Sequence, residues 1–269
     1  MKKGFLLLAL CLCVMPVAMS QNLFLVTEQR QLEIEGTKNV GNYLRSLGYK
    51  VTVDEGGGTA ISAYQGKLTA EKIAHLESFD VVIVLRATSS GNFSGAGINE
   101  QWSQLKVPVL LGTAYLVRKE RWFWIDGTQE RTVAEGVDIA IPNHPIVAGL
   151  TGVFFDTPLG IDHVTAGDVG DGKIVATLVD ANGDNAPAIV AWGPTDKFPA
   201  GGNQIHTFPR VFMPFYRYHE TTENATGSYA TDPADGDFPN YTPNGLKIID
   251  QAIKYLLSFK TNVQNWDCY

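Results

Sequence analysis

The sequence predicts an α/β fold of the flavodoxin-like kind: a doubly wound, mostly parallel sheet with helices on both faces and an antiparallel extension in the second half. Short apolar runs typical of buried strands recur through the first half, separated by segments with apolar residues at helical spacing. Strands that are apolar on both faces and alternate with helices are typical of a parallel sheet covered on both sides. The strand-like runs are residues 22–27, 49–53, 80–86 and 108–113, and the helix-like segments are residues 37–47, 69–76 and 99–105.

The second half of the chain is richer in strands than in helices. Gly, Pro and Asp turns separate its apolar segments, so we expect antiparallel or hairpin strands that extend the sheet. These segments are residues 132–141, 173–179, 188–192 and 204–215. Residues 221–240 are rich in Gly, Asp, Thr and Pro and have no periodicity, which predicts a long surface loop.

A helix is predicted between Thr242 and Phe259. Thr242 is of a residue type that caps helices, and Pro243 stands at the first helical position, where proline is tolerated. An apolar stripe at helical spacing predicts the buried face, which consists of Leu246, Ile249, Ile253, Leu256 and Leu257.

The first 20 residues have the three parts of a secretory signal peptide. Lys2 and Lys3 give a positive start, residues 5–14 form an apolar run, and Ala18 and Ser20 are small residues before a cut. This run is shorter than the roughly 20 residues that span a bilayer, and no later run approaches that length, so we predict no membrane span. We therefore expect residues 21–269 to form one domain, exported to the periplasm or the cell exterior.

The cysteine content indicates whether disulfides are expected, and the net charge narrows the classes of partner. Cys11 and Cys13 lie in the predicted signal peptide, so the exported chain keeps only Cys268 and no internal disulfide is expected. The net charge of −7 becomes −9 when Lys2 and Lys3 are removed, and there is no basic cluster. This disfavours nucleic acid and anionic membranes as partners and leaves small molecules, glycans and proteins, although solubility alone also explains the charge.

Several segments in this order resemble a known superfamily. They are Gly48-Tyr49-Lys50-Val51, Asp80 to Val84, Val107 to Gly112, and the Thr242, Gly245, Leu246, Ala252 and Ile253 positions of the last helix. The order resembles the class I glutamine amidotransferase-like superfamily, and within it the likeness is closer to trehalose-utilisation (ThuA-like) domains and exported bacterial relatives. Two further segments resemble those relatives, namely Arg86-Ala-Thr-Ser-Ser-Gly91 and Tyr115-Leu-Val-Arg-Lys-Glu-Arg-Trp-Phe-Trp124.

One departure from that superfamily bears on activity. In working amidotransferases the turn after the fourth strand is a nucleophile elbow, where a His activates a Cys. The resemblance places Thr113 at that position, so no thiolate is available there. His219 and Glu220 look like the family's His-X-Glu end but would have no thiolate to activate. The comparison therefore argues against glutamine hydrolysis.

The candidate ligand-binding residues follow the third and fourth strands. In open parallel sheets, ligands bind outside the carboxyl ends of the strands. Arg, Ser and Asp can hold hydroxyls or a carboxylate, while Trp and Tyr rings suit sugars or apolar ligands. The candidates are Arg86, Ser89, Ser90, Gly91, Thr113, Tyr115, Arg118, Trp122, Trp124 and Asp126. Alternatively, the Trp residues cover the sheet edge and Arg86 or Arg118 pairs with a structural carboxylate.

The sequence indicates no cofactor and no transition-metal site, because no His pair has the spacing of a zinc site. Two Asp-rich stretches, at 180–184 and 232–237, resemble calcium loops. The first has Asn185 and Ala191 where an EF-type loop needs Gly and Glu, so Asp/Gly turns are the better interpretation. His144 belongs to a His-Pro-Ile segment that we interpret as a structural turn, and Asp162-His163 is expected at a strand or turn end.

Two functional hypotheses remain. The first is an exported, non-catalytic domain that binds a carbohydrate or a cell-surface partner. The alternative is a carbohydrate-related hydrolase that uses Thr113 or carboxylates in the same cleft. Asp126, Asp156, Asp162 and Glu220 could supply such carboxylates, but spacing along the sequence does not give their separations. The missing Cys and the lack of a complete catalytic set favour the first hypothesis.

Overall fold

A computed structural model describes residues 20–26, 36–54, 62–85, 90–155, 159–200, 207–214 and 242–260. The strands are β1 (Asn22–Val26), β2 (Lys50–Val53), β3 (Val81–Val84), β4 (Val109–Leu111), β5 (Gln129–Ala134), β6 (Asp138–Ile139), β7 (Leu159–Val164), β8 (Lys173–Val179), β9 (Asn185–Trp192) and β10 (Arg210–Phe212). The helices are α1 (Gly36–Ser46), α2 (Ala70–Glu77), α3 (Ile98–Ser103), α4 (Ala114–Val117) and α5 (Pro243–Ser258). A 3-10 turn covers Ser90–Phe93.

Eight strands form the main sheet, in the order β2-β1-β3-β4-β10-β9-β8-β6. The first five of these are parallel, and β9, β8 and β6 continue the sheet in antiparallel pairs. The order of the parallel part is the 2-1-3-4-5 order of flavodoxin-like folds. The predicted fold class and its antiparallel extension are therefore confirmed.

The central strands show why the sheet is covered on both faces. Successive side chains of a strand point to opposite faces. In β1, Leu23 and Leu25 join a core that contains residues of α1 and α5, whereas Phe24 and Val26 join a core that contains residues of α2, α3 and α4. All four side chains are buried. An apolar run without polar alternation is thus what a doubly wound sheet requires.

Helix α5 begins as the sequence predicts. The Thr242 hydroxyl accepts a hydrogen bond from the Gly245 N–H at 3.1 Å, and Pro243 occupies the first turn. The buried face differs in part from the predicted stripe, because Leu246 and Leu257 are only partly buried. Its buried residues are Gly245, Ile248, Ile249, Ala252, Ile253 and Leu256.

The second half differs from the prediction at three points. The single strand expected over residues 132–141 is two strands, since β5 belongs to a separate two-stranded sheet with β7 and β6 belongs to the main sheet. Strand β7 was not predicted, and Asp162 and His163, which were expected at a strand or turn end, lie in its second half. Strand β10 is only three residues long, and it runs parallel to β4.

The small sheet lies between two parts of the molecule. Residue Ile161 of β7 packs in the core on the α5 side, and Val164 packs in the core that contains α4. Because α4 directly follows β4 and contacts β7, the small sheet lies beside the carboxyl end of β4. The predicted loop at 221–240 and the predicted signal residues 1–19 are outside the described residues. No helix in the described part is long and apolar enough to cross a membrane.

Candidate functional site

The structure describes eight of the ten predicted site residues. Arg86 and Ser89 lie outside the described residues. Ser90 and Gly91 are in the 3-10 turn after β3. The other six follow β4 in one continuous segment that begins at Thr113 and ends at Asp126.

Thr113 is the N-cap of helix α4. Its backbone is extended, with φ −135° and ψ 127°, and its hydroxyl accepts a hydrogen bond from the Tyr115 N–H at 3.3 Å. A nucleophile elbow is instead a sharp, strained turn that exposes its nucleophile, and the Thr113 side chain is buried. Within the described residues, no acidic or basic side chain hydrogen-bonds to this hydroxyl. The geometry therefore suits helix capping and does not activate a nucleophile.

Trp122 and Trp124 lie in the core. Both are fully buried, and their indole N–H groups donate to Phe93 O at 2.7 Å and to Ser103 Oγ at 3.0 Å respectively. Their rings contact each other and other buried rings, at centroid distances of 5.1 to 5.9 Å, namely Trp102, Trp192 and Phe198. The two indoles therefore present no face to a ligand in this structure. Of the two interpretations offered by the sequence, covering of the sheet is the one that their burial supports.

The backbone around Phe123 folds back on helix α4 between the two Trp residues. Phe123 has a positive φ of 55°, which is unusual for a bulky residue. The flanking N–H groups of Trp122 and Trp124 bond to Leu116 O and Val117 O of α4, at 2.9 and 3.0 Å. The segment thus folds back on α4, so that the residues on both sides of Phe123 enter the core.

The two predicted loops do meet, through Arg121. Its Nε donates to Ser90 Oγ at 3.1 Å and its Nη1 donates to Glu120 O at 2.9 Å. Asn99 donates to Arg121 O at 2.6 Å, which fixes the backbone at the same place. Arg121 therefore joins the turn after β3 to the segment after β4.

Arg118 and Asp126 are engaged in local ion pairs. Arg118 Nε lies 3.7 Å from Glu120 Oε2, and Asp126 Oδ1 lies 2.8 Å from Lys119 Nζ. Such pairs near the surface contribute about 0 to 1 kcal/mol to stability. Among the described residues, the acid that Arg118 meets is its exposed near neighbour Glu120, and Arg118 Nε makes no hydrogen bond.

The most organised polar group at this edge is the Arg131 cluster, which consists of Tyr115, Gln129, Arg131 and Asp162. Arg131 Nε donates to Asp162 Oδ1 at 2.9 Å, and Gln129 Nε2 donates to the same oxygen at 3.2 Å. Tyr115 lies close enough to the Arg131 side chain to influence its pKa. Asp162 is 4% exposed, whereas Arg131 keeps 33% of its side chain exposed. A buried carboxylate therefore orients a guanidinium that solvent can reach.

The charge of Arg131 is maintained by this arrangement. Burial alone lowers the pKa of the guanidinium, but the hydrogen bond and the negative charge of Asp162, together with the nearby Tyr115, raise it by more. Arg131 is thus a fixed cation beside the Tyr115 ring. A fixed cation with several N–H donors can hold the hydroxyl or carboxylate oxygens of a ligand.

Sequence reasoning found Tyr115 but did not select Gln129 or Arg131, and it considered Asp162 only as one of several scattered carboxylates. Arg131 and Asp162 are directly opposite each other in the β5–β7 register. That pairing depends on β7, which was not predicted. The alternation of Gln129, Arg131 and Val133 was the available signal, since alternate residues share one face of a strand.

The other titratable candidates have structural partners. His163 is fully buried, and its two ring nitrogens lie 2.9 Å from Val164 O and from Thr132 Oγ1. The buried His144 accepts a hydrogen bond at Nδ1 from the Ile146 N–H at 3.3 Å, which supports the predicted turn. Neither imidazole is placed to act on a bound molecule.

The first Asp-rich stretch forms a turn, as the sequence predicts. Asp180 Oδ1 accepts from the N–H groups of Asn182 and Asp184 at 2.9 and 3.0 Å, and Oδ2 accepts from that of Ala166 at 3.2 Å. These backbone hydrogen bonds lower the pKa of Asp180. The second stretch, at 232–237, is outside the described residues. Among those that are described, no group of three or more acidic, His or Cys side chains could hold a metal ion.

Comparisons with known proteins show a similarity in fold. No family model and no curated sequence matches the chain. A ThuA-like protein of Bacteroides uniformis ATCC 8492 superposes with a TM-score of 0.54 at 10% identity, over 89% of this chain and 93% of that one. A ThuA-like protein of Parabacteroides merdae ATCC 43184 gives 0.49 at 12% identity, over 88% and 90%. The chain therefore has a ThuA-like fold.

Proposed function

We propose that the chain is an exported, non-catalytic domain of the amidotransferase-like type, which binds a carbohydrate or a carbohydrate-bearing surface partner at the carboxyl edge of its sheet. The observation that carries this proposal is the Arg131 cluster. It offers a solvent-reachable guanidinium, fixed by a buried carboxylate, next to an aromatic ring. Ligand sites of open α/β sheets occur at this edge.

The chemistry of the cluster suits hydroxyl-rich ligands. Because Asp162 already holds Arg131 Nε, the guanidinium loses little side-chain freedom when a ligand arrives. The Tyr115 ring is half-buried, and aromatic rings of this kind pack against the apolar faces of sugars. Asp162 itself is buried and serves to position Arg131, so Arg131, Tyr115 and Gln129 are the residues that would contact the ligand.

The alternative function, hydrolysis of a carbohydrate-related substrate, has less support. Thr113 caps a helix, and Asp162 and Asp126 are each engaged with cationic side chains. A glycosidase needs one carboxyl that gives a proton and a second that acts as base or nucleophile. Asp156 and Glu220, the remaining candidates, are outside the described residues.

A glycan-array screen tests the binding proposal. Residues 21–269 are screened together with Arg131→Ala, Tyr115→Ala and Lys106→Ala. Lys106 is a matched control because it is exposed and precedes β4, at the opposite end of the sheet. Loss of one or two charged hydrogen bonds should weaken a bound glycan about 10- to 100-fold in Arg131→Ala, with Lys106→Ala unchanged.

Two results would overturn the proposal. If the folded protein binds no glycan on the array, the carbohydrate ligand is ruled out. If Arg131→Ala binds a glycan as well as the unchanged protein does, the Arg131 cluster is ruled out as the binding site. Export is tested separately by fractionation of cells that express the full chain or residues 21–269. The full chain should be recovered outside the cytoplasm and the shortened chain within it.

A further inference from the structure

The residue that follows the predicted cut, Gln21, lies directly before strand β1. Its carbonyl oxygen accepts from the Lys50 N–H at 2.9 Å, and strand pairing begins one residue later, between Asn22 and Lys50. The Asn22 N–H donates to Asp80 Oδ2 at 2.7 Å. Ser20 and Gln21 are both exposed. The predicted cut after Ser20 would therefore expose a new amino terminus at the edge of the fold.

We propose that Gln21 becomes an N-terminal pyroglutamate once the signal peptide is removed. The freed α-nitrogen of Gln21 attacks the side-chain amide carbon Cδ, and the new C–N bond closes a five-membered ring. The amide nitrogen leaves as ammonia, which takes up the proton released by the amine. The step consumes no oxidant and no second substrate. This inference rests on the proposed export, because only cleavage between Ser20 and Gln21 frees that nitrogen.

The structure has room for this ring. In the described residues, the contact that holds Gln21 is made by its carbonyl oxygen, and cyclisation keeps that oxygen. The Asn22 N–H to Asp80 bond is also kept. Cyclisation removes the positive charge of the amino terminus, but Asp80 retains a cation, since Lys260 Nζ lies 2.5 Å from Asp80 Oδ1. Cyclisation itself therefore costs the fold no bond that the described residues make, whereas the preceding cut removes one, the hydrogen bond from Ser20 Oγ to Gly48 O at 2.6 Å.

A blocked amino terminus has a consequence outside the cell. Aminopeptidases need a free α-amine, and strand β1 begins at Asn22, directly after Gln21, so trimming from this end would remove β1 pairing within a few residues. A pyroglutamate at position 21 would protect the first strand from such trimming.

Mass spectrometry of the exported protein tests this inference. The full chain is expressed in a host that exports it, collected from outside the cytoplasm, and digested with trypsin, and the peptide of residues 21–30 is measured. We expect a mass lower by one ammonia, about 17 Da, than that of the free peptide. Gln21→Asn is the matched control, because its shorter side chain would have to close a strained four-membered ring. Samples are quenched at several times, so that cyclisation during handling is separated from that present at harvest.

The possible outcomes separate this inference from the export proposal. A cyclised peptide at harvest, with a free amine in Gln21→Asn, supports it. A peptide that begins at Gln21 with a free amine overturns the pyroglutamate and leaves the export proposal standing. A chain that retains residues 1–20, or is cut elsewhere, overturns the predicted cleavage and the pyroglutamate together.

Discussion

Arg210 is a fully buried guanidinium at the start of β10. It donates five hydrogen bonds of 2.7 to 3.1 Å to backbone carbonyls, those of Ser103, Leu105, Val107, Phe208 and Pro209. Burial lowers the pKa of Arg210. Carbonyl oxygens can only accept hydrogen bonds, so the N–H groups of the guanidinium supply the donors that these oxygens need. Arg210 thus joins the end of α3 and the start of β4 to the start of β10.

We expect Arg210→Met to lower the free energy of unfolding by about 3 to 5 kcal/mol, because it leaves buried carbonyl groups without a donor. Urea unfolding followed by circular dichroism measures this. Arg45→Met is the control, since Arg45 is exposed on α1 and its replacement should cost less than about 0.5 kcal/mol. A loss below about 1 kcal/mol for Arg210→Met would show that the carbonyls find other partners.

His144 should make stability depend on pH. Burial, followed by the charge of Lys173, lowers its pKa from the ordinary value of 6.5. As the pH falls below 6.5, the unfolded chain takes up a proton that the folded chain resists, so stability is lost on acidification. His144→Asn keeps an acceptor for the Ile146 N–H without the charge. The fall in Tm from about pH 7.5 to about pH 5.5 should therefore be smaller in this variant, and an equal fall would assign it to other groups.

At the scale of elements, Thr242 controls the start of α5. Its hydroxyl accepts from the Gly245 N–H at 3.1 Å and donates to Val153 O at 2.8 Å. We expect Thr242→Ala to cost about 1 to 2 kcal/mol of unfolding free energy, measured by urea unfolding. Thr242→Ser retains the hydroxyl and should cost less than half as much. Equal losses in the two variants would assign the effect to the methyl group instead of the cap.

The elements that the sequence predicted well are those whose buried side chains can be recognised from the residues of the element itself. Strands β1, β3 and β4 have apolar side chains on both faces, and α5 has its cap and stripe within its own sequence. The small sheet could not be predicted in this way. The pairing of β5 with β7 joins residues about 30 positions apart, and its half-polar strands have no continuous apolar run. The Arg131 cluster was missed for the same reason.

Residue type also misled the prediction of the site. Trp and Tyr in a polar segment suit either a ligand or a core, and their spacing alone does not separate the two. The chain folds back on α4 around Phe123, which has a positive φ, and the flanking Trp122 and Trp124 are buried there. A φ angle above zero at a Phe has no signal in the sequence, where Gly or Asn would have indicated it.

At the scale of the whole molecule, the small sheet and the main sheet are joined where the chain leaves β5 for β6. Gly136 lies at this junction, where the Val137 N–H donates to Gly152 O at 3.0 Å. A Cβ atom at position 136 would lie only 1.8 Å from Gly152 O. A side chain at this position is therefore incompatible with the distance between the two backbones.

We expect Gly136→Ala to destabilise the protein by about 3 kcal/mol or more, because backbone atoms must separate to admit the methyl group. Gly41→Ala is the matched control, since its Cβ would meet only the mobile end of Arg45, at 3.2 Å, within helix α1. That change should raise stability by about 0.5 to 1 kcal/mol, because alanine has the better helix propensity.

Urea unfolding compares the stabilities of the two variants, and the Arg131 cluster gives a second readout. If the junction fixes the small sheet, glycan binding should weaken in Gly136→Ala and stay unchanged in Gly41→Ala. Equal stabilities of the two variants would mean that the two sheets are not held at the close distance seen at Gly136.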